Sequence, residues 1–389
     1  GNASLLANTT GNYNTAVGGA SLADNTTGSQ NTAIGYQALI ANTTASDNTA
    51  TGFNALYTNT TGSLNLANGW RALYYNTTGT RNTAVGFKAL YSNATASENT
   101  AVGVEALQQN TTGVGNCALG RQALHNNTTA SNNTGVGLYA LYANTTGTAN
   151  VAVGRSASEG NTNASSNTSI GYQALKQTTT GANNVAIGAD ALTDNVAGEN
   201  NVAIGKGALE VATSASSNTA VGRGACDSTT TGARNTGVGY FTLDANTTGE
   251  RNTAVGDSAG YSTTTGYRNT FLGFAARGDN ATANSEIVLG YDIQGVGSGY
   301  ATLGYGSTKS YINAGYTSWG GTSDSRLKDN ITTSTVGLSF INDLRPVTFQ
   351  WKVKGDVPAE LDSYEEGSTA RVNGTDKVQH GFIAQEVKA

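Results

Sequence analysis

The sequence predicts an all-β protein, a parallel β-roll or β-helix solenoid over most of its length, and three observations carry that prediction. Glycine stands at position 1 and then at 18, 35, 52 and every seventeenth residue to 290, without one insertion. Around that glycine the neighbours repeat as well. An aliphatic precedes it in nearly every copy (Val17, Ile34, Val85, Val102, Leu119, Val136, Val153, Ile170, Ile187, Ile204, Val221), and Leu follows four positions later (Leu22, Leu39, Leu56, Leu73, Leu90, Leu107, Leu124, Leu141). Asn recurs four positions earlier, from Asn14 and Asn31 through Asn252 and Asn269. Finally, the composition is that of a repeat: 51 Gly, 18 Tyr, no Met and 12% charged residues, about half the charge of an ordinary soluble domain, which is roughly 25%.

Each copy contains a short extended piece such as "NTAVG", then "xxAL", then a polar corner, "NTTG" or "NATAS". Thr, Val and Ile favour strand, and Asn and Gly are expected at the corners because they tolerate positive φ. The fixed repeat length is itself informative. A helical repeat absorbs an extra residue in a turn, whereas in stacked β-coils each residue bonds to its counterpart one coil away. Seventeen coils at about 4.8 Å make a rod of roughly 80 Å.

Such a coil has a thin core. Burying a branched aliphatic yields about 1.5–3 kcal/mol, against roughly 1–2 kcal/mol of backbone entropy for every residue ordered. In "TAVG", Ala16 and Val17 point to opposite faces of the strand, yet both positions stay small or apolar along most of the array. One face lines the roll; the other requires a partner. Three chains about a common axis are preferred, and two would satisfy the face argument equally.

Several classes are excluded. The net charge is -5 with no basic patch, so nucleic-acid binding has no electrostatic support. No run of about 18 apolar residues predicts membrane insertion, and no basic, apolar leader is seen. The missing Met and a start inside the repeat suggest a fragment of a longer product. Cys117 and Cys226 lie more than six repeats apart, roughly 30 Å and too far for a disulfide. No cluster suggests a metal or a cofactor.

The Asn14, Asn31 and Asn82 column is expected to cap corners and form stacked amide ladders. Asn25, Asn42, Asn59, Asn76, Asn110 and Asn144 each begin an N-x-T sequon, but "NTT" is equally what a tight corner requires, and as a glycosylation site it would have to be exposed. Tyr36, Phe53, Trp70 and Phe87 form one aromatic column and Tyr57, Tyr74 and Tyr91 another; they either pack between coils or chains, or grip sugars. The acids Asp24, Asp47, Glu98, Glu105 and Asp190 form no pair by register, so turnover of an external polysaccharide by paired carboxylates is not expected.

"NTAVGxxAL…NTTG" resembles the head repeats of trimeric autotransporter adhesins and of bacteriophage tail fibres. The resemblance implies left-handed rolls intertwined as a homotrimer over residues 1–290. After Gly290 the sequence turns Gly- and Tyr-rich, and residues 291–322 read as a β-rich neck. From residue 323 charge rises and both prolines, Pro346 and Pro358, appear. Three blocks stand there in order: "SDSRLK" at Ser323–Lys328, "LRPVTFQW" at Leu344–Trp351 and "GFIAQEV" at Gly381–Val387. They resemble the S74 peptidase family, the C-terminal intramolecular chaperone of phage endosialidases and tail fibres. Residues 323–389 would be the N-terminal part of a small α/β chaperone domain, which in that family normally continues with a helical, trimer-clamping tail.

That resemblance implies a trimerisation chaperone that cuts itself off once, between Thr322 and Ser323. Ser323 could attack the Thr322 carbonyl in an N-to-O acyl shift, leaving an ester for water. Lys328 is the candidate base, which requires a neutral amine, and Arg326 either supplies the charge that lowers its pKa or anchors the segment. Asp324 either orients that amine or makes a turn or N-cap. His380 and Glu386 join the site by resemblance. The function so read is a phage tail fibre mediating host attachment. Its implied partners are two further copies, other virion tail proteins and a host receptor such as a glycan. Alternatives are a bacterial trimeric surface adhesin and an ice-binding solenoid with stacked Thr.

Overall fold

A computed structural model describes residues 1–313, 320–321, 347–350, 352–358, 364, 366–370 and 379–381. The chain divides into two compact units, Gly1–Thr322 and Ser323–Ala389.

The first unit is a β-solenoid with no α-helix among the described residues. Strands of three residues, one per coil, run from β1 (Thr15–Val17) and β2 (Thr32–Ile34) to β16 (Thr270–Leu272). All pair in parallel and in strict register, Thr15 with Thr32, Ala16 with Ala33, Val17 with Ile34, and so on to Leu272 with Leu289 of β17 (Ile287–Tyr291). The spacing then shortens to fourteen residues, because Ile287 pairs with Ala301 of β18 (Tyr300–Tyr305). The parallel ladder stops there. β19 (Thr308–Asn313) lies antiparallel to β18, and β20 (Gly320–Gly321) antiparallel to β19.

Strand alternation decides what is inside. From the second coil on, the strand alanine is buried, as at Ala33, Ala50 and Ala84, and the larger aliphatic faces out, as at Ile34, Leu119, Ile204 and Leu272. The core is therefore built from two alanine columns and one leucine column, Ala38, Leu39 and their equivalents. Buried asparagine fills the remaining space. In one column Asn42 Nδ2 donates to Asn25 Oδ1 (2.8 Å) and to Ala45 O (2.9 Å). In the other, the backbone N–H of Asn48 donates to Asn31 Oδ1 (3.0 Å) and its Nδ2 to Gly62 O (2.9 Å). These bonds satisfy amides that would otherwise be stranded inside a coil with few apolar atoms.

Positive φ falls elsewhere than the sequence suggests. The repeat glycine does need it: Gly52 has φ +130, and a Cβ there would drive into the carbonyl of Gly69 one coil on. Neither buried asparagine column is left-handed. Instead the leucines are, with φ +53 at Leu39 and +50 at Leu73. A left-handed leucine costs about 1–2 kcal/mol, and full burial of the side chain, about 1.5–3 kcal/mol, offsets it.

Burial decides between the two readings of the sequons. Asn25, Asn42, Asn59, Asn76, Asn110 and Asn144 are all 0% exposed, so "NTT" is a corner whose asparagine turns inward to tie the chain. The two cysteines are free, Cys226 buried in the leucine column and Cys117 half-buried in β7 (Cys117–Leu119).

In the second unit β21 (Val347–Phe349) pairs antiparallel with β22 (Gln379–Gly381), and a 3-10 turn spans Lys354–Asp356. The pairing joins the block Leu344–Trp351 to the start of the block Gly381–Val387, with Thr348 opposite His380.

Candidate functional site

Ser323, Asp324, Arg326, Lys328 and Glu386 lie outside the described residues. Of the cleavage residues read from the sequence, the structure describes the backbone of His380 alone, in β22.

The aromatic columns are where register puts them. Tyr36 stacks on Phe53 (5.6 Å between centroids), Phe53 on Trp70 (6.2 Å) and Trp70 on Phe87 (4.8 Å). Beside them Tyr57, Tyr74 and Tyr91 stack at 4.9 and 5.4 Å. Cations fill the gap between the columns: Arg71 lies 4.3 Å from the Trp70 ring and 5.3 Å from Tyr74, and Lys88 bridges Phe87 and Tyr91. Near-parallel stacking leaves most ring faces covered by the next ring. A sugar ring needs an open aromatic face, so these columns work as packing ladders.

The same register positions, further along the rod, carry a groove. Its floor is open where most coils have a side chain and this stretch has Gly207 and Gly224, both left-handed at φ +66 and +61. Phe241 lies over Gly224, at the place a Cβ would occupy. On either side of Phe241 the groove widens, to a hollow of about 160 Å³ between Lys206, Arg223, Glu210 and Asp227 and another of about 410 Å³ among Asp244, Ser258, Tyr261, Phe274 and Ala275.

One wall of this groove is a carboxylate column. Glu210, Asp227 and Asp244 follow one another at the repeat spacing of seventeen, so they stack coil on coil. Partial burial is the main force raising the Glu210 carboxyl above its usual range, and Asp227, Asp190 and Asp194 add repulsion that Lys206 only partly offsets. Burial and then Asp244 raise Asp227, and burial raises Asp244. Among the described residues the ion pairs are Arg81–Glu98 (3.3 Å) and Arg277–Asp292 (2.9 Å), so none neutralises the column. Of the acids singled out in the sequence, Glu98 is in that first pair and Glu105 accepts from Gln122 Nε2 at 2.7 Å. The carboxylate column escaped the sequence reading, although its spacing was there to be read. No group of His, Cys, Asp and Glu with metal-holding geometry occurs among the described residues, and none of their helices is long and apolar enough to cross a membrane.

The fold so far defines a class: a parallel β-solenoid scaffold followed by a separate C-terminal unit. Residues 323–389 of that unit match the family Peptidase S74, the chaperone of endosialidase. No curated protein and no solved structure matches the chain. The molecule is thus a β-solenoid bearing an S74 chaperone region at its C-terminal end.

Proposed function

We propose that the chain is the shaft and assembly module of a phage tail fibre, acting on the virion tail, and that its C-terminal region guides trimer assembly and then cuts itself off between Thr322 and Ser323. The observation that carries this reading is the S74 match beginning at Ser323, directly after the solenoid unit. Ser323 is the nucleophile and Lys328 the base, with Asp324, His380 and Glu386 supporting them. Intact-mass spectrometry of the complete precursor tests it. The parent should yield a fragment ending at Thr322, Ser323→Ala should stay whole, and Lys328→Ala should block or greatly slow the cut. Cleavage at the same bond in Ser323→Ala eliminates Ser323 as nucleophile.

The trimer is supported by the outward aliphatic column, which a lone chain leaves in water at Val17, Ile34, Leu119, Ile204 and Leu272. Cys117 stands on the same outer face and offers a native probe. In an assembled trimer its thiol resists alkylation until the protein is denatured. Cys226 is the internal control, because it is fully buried and its thiol is pushed up to about 12. Rapid native labelling of Cys117 would end the assignment of that face to a partner copy.

The fibre presents its length to a host surface, and the groove around Phe241 is the contact we assign to a receptor, with glycans the class to test first. A bacterial trimeric surface adhesin is the second reading, favoured by the same repeat and separated from the first by the sequence adjoining this chain. Ice binding is disfavoured by irregular corners, where Thr26 and Thr43 give way to Ala94, Ala197 and Ala281, and the first threonine of a corner is committed within the rod, as Thr9, Thr26 and Thr60 donate to the carbonyls of Thr26, Thr43 and Thr77 one coil on.

A further inference from the structure

The interior of the rod is interrupted at one coil. Its hydrophobic core falls into two clusters, one ending at Ala157 and the other beginning at Ala174. Between them Ser158 takes the place of the column leucine and Ser169 that of the strand alanine, both essentially unexposed, and Ser158 Oγ donates to Ser169 Oγ at 2.9 Å. The first asparagine ladder breaks at the same coil. Asn161 folds onto its own turn, with Nδ2 donating to Ala164 O (3.1 Å) and Oδ1 accepting from Ala164 N (2.9 Å). That leaves Asn144 Oδ1 buried with no partner, and the following coil carries Thr178 where asparagine belongs.

The outer frame is intact across this coil. β10 (Thr168–Ile170) pairs in register with β9 (Val151–Val153) and β11 (Val185–Ile187), and the second ladder passes through, Asn167 N donating to Asn150 Oδ1 at 3.0 Å. The fault is in the filling alone. Nor does the backbone impose it, because Ser158 has φ +48 where Leu141 has +51 and Leu175 +54.

We infer that this coil is a built-in seam that divides the shaft into two cooperative units, roughly residues 1–153 and 171–290, so that the rod opens in two stages. In a solenoid each coil is held by its neighbours, and cooperativity passes along the stack only as far as the interfaces between coils remain strong. The seam replaces apolar contact and one ladder bond by a single serine pair. The segment beyond it opens first, because its ladder is broken again at Ala212, Thr229 and Thr263.

Hydrogen exchange read by mass spectrometry on the full chain, at increasing urea, tests the seam. Peptides beyond residue 171 should lose protection at lower urea than peptides before 153, with exchange around Ser158–Ser169 about tenfold faster than in mid-segment coils. Ser158→Leu with Ser169→Ala restores the repeat residues and should merge the two stages into one. Ser169→Ala alone strips Ser158 of its partner and should separate them further. One midpoint along the whole native shaft overturns the seam, as does a boundary that both variants leave unmoved.

Discussion

From Asn8 to Asn144 the inner ladder has asparagine in nine consecutive coils, whereas from Asn161 to Asn280 the same column reads Asn, Thr, Asn, Ala, Thr, Asn, Thr, Asn. The bonding follows. In the first stretch Asn59, Asn76, Asn93 and Asn110 each donate to the asparagine before, at 2.8–3.1 Å. In the second, Asn195 and Asn246 reach only a threonine hydroxyl on the coil before, at 3.4 and 3.3 Å, and their own Oδ1 atoms are buried without a partner. The leucine column is likewise unbroken from Leu22 to Leu141 and later gives way to Ser158, Cys226 and Gly260. Yet strand register and the repeat glycine are the same throughout. One frame therefore tolerates two fillings: register comes from the backbone ladder and glycine, and stability from what fills each coil. The looser stretch is also the one that carries the groove and its unneutralised carboxylates.

The largest effect should come from moving the fault into the tighter stretch. Leu107→Ser removes a fully buried leucine from an uninterrupted column and should destabilise the shaft by about 2–5 kcal/mol. It should also create a second exchange boundary near residue 107. If the loss is spread evenly along the rod with no new boundary, leucine continuity does not set the cooperative units.

A smaller effect separates the two ladders. Asn93→Ala deletes bonds to Asn76 Oδ1 and Ala96 O (both 2.9 Å) and the acceptor of Asn110 Nδ2. Leaving buried amides unpaired costs about 1–3 kcal/mol. Asn195→Ala deletes one weak contact to Thr178 Oγ1, the bond to Gly198 O (3.0 Å) and an acceptor already unused. Urea midpoints should therefore fall about twice as far for Asn93→Ala, near the low end of that penalty range for Asn195→Ala. Equal shifts would mean that ladder continuity adds nothing.

Much of this was legible in the sequence. Register alone identified the strands, the glycine, the leucine column and both aromatic stacks, because identical residues seventeen apart must stack in a parallel coil. What register leaves open is direction. It says that Ala33 and Ile34 face opposite ways, but which one faces in depends on the left-handed turn at Gly35 that steers the next coil corner. The same gap left the sequon asparagines open between a tight corner and an exposed acceptor; they turn inward to bind the carbonyl three residues on. The proposed cleavage residues, apart from the backbone of His380, lie outside the described part and rest on the three sequence blocks.

The smallest effect concerns charge, and its sign is opposite to the usual one. Glu210, Asp227 and Asp244 have carboxyls raised above their ordinary range, burial being the first cause in each. A raised acid binds its proton more tightly in the folded state, so its penalty is present at neutral pH and is relieved as pH falls through the folded value toward the unfolded one. Salt-bridged carboxylates do the reverse. Exchange protection over residues 205–255 should therefore rise on acidification from pH 7 toward about 4, while residues 52–102, with no such column, should not gain. Asp227→Asn should reproduce the gain at pH 7, stabilising by roughly 0.5 kcal/mol as a half-buried surface change, and should flatten the pH dependence of those coils. Protection that falls on acidification in the parent, or a destabilised Asp227→Asn, would show that Lys206 and Arg223 already neutralise the column and that the groove wall is not the repulsive one described.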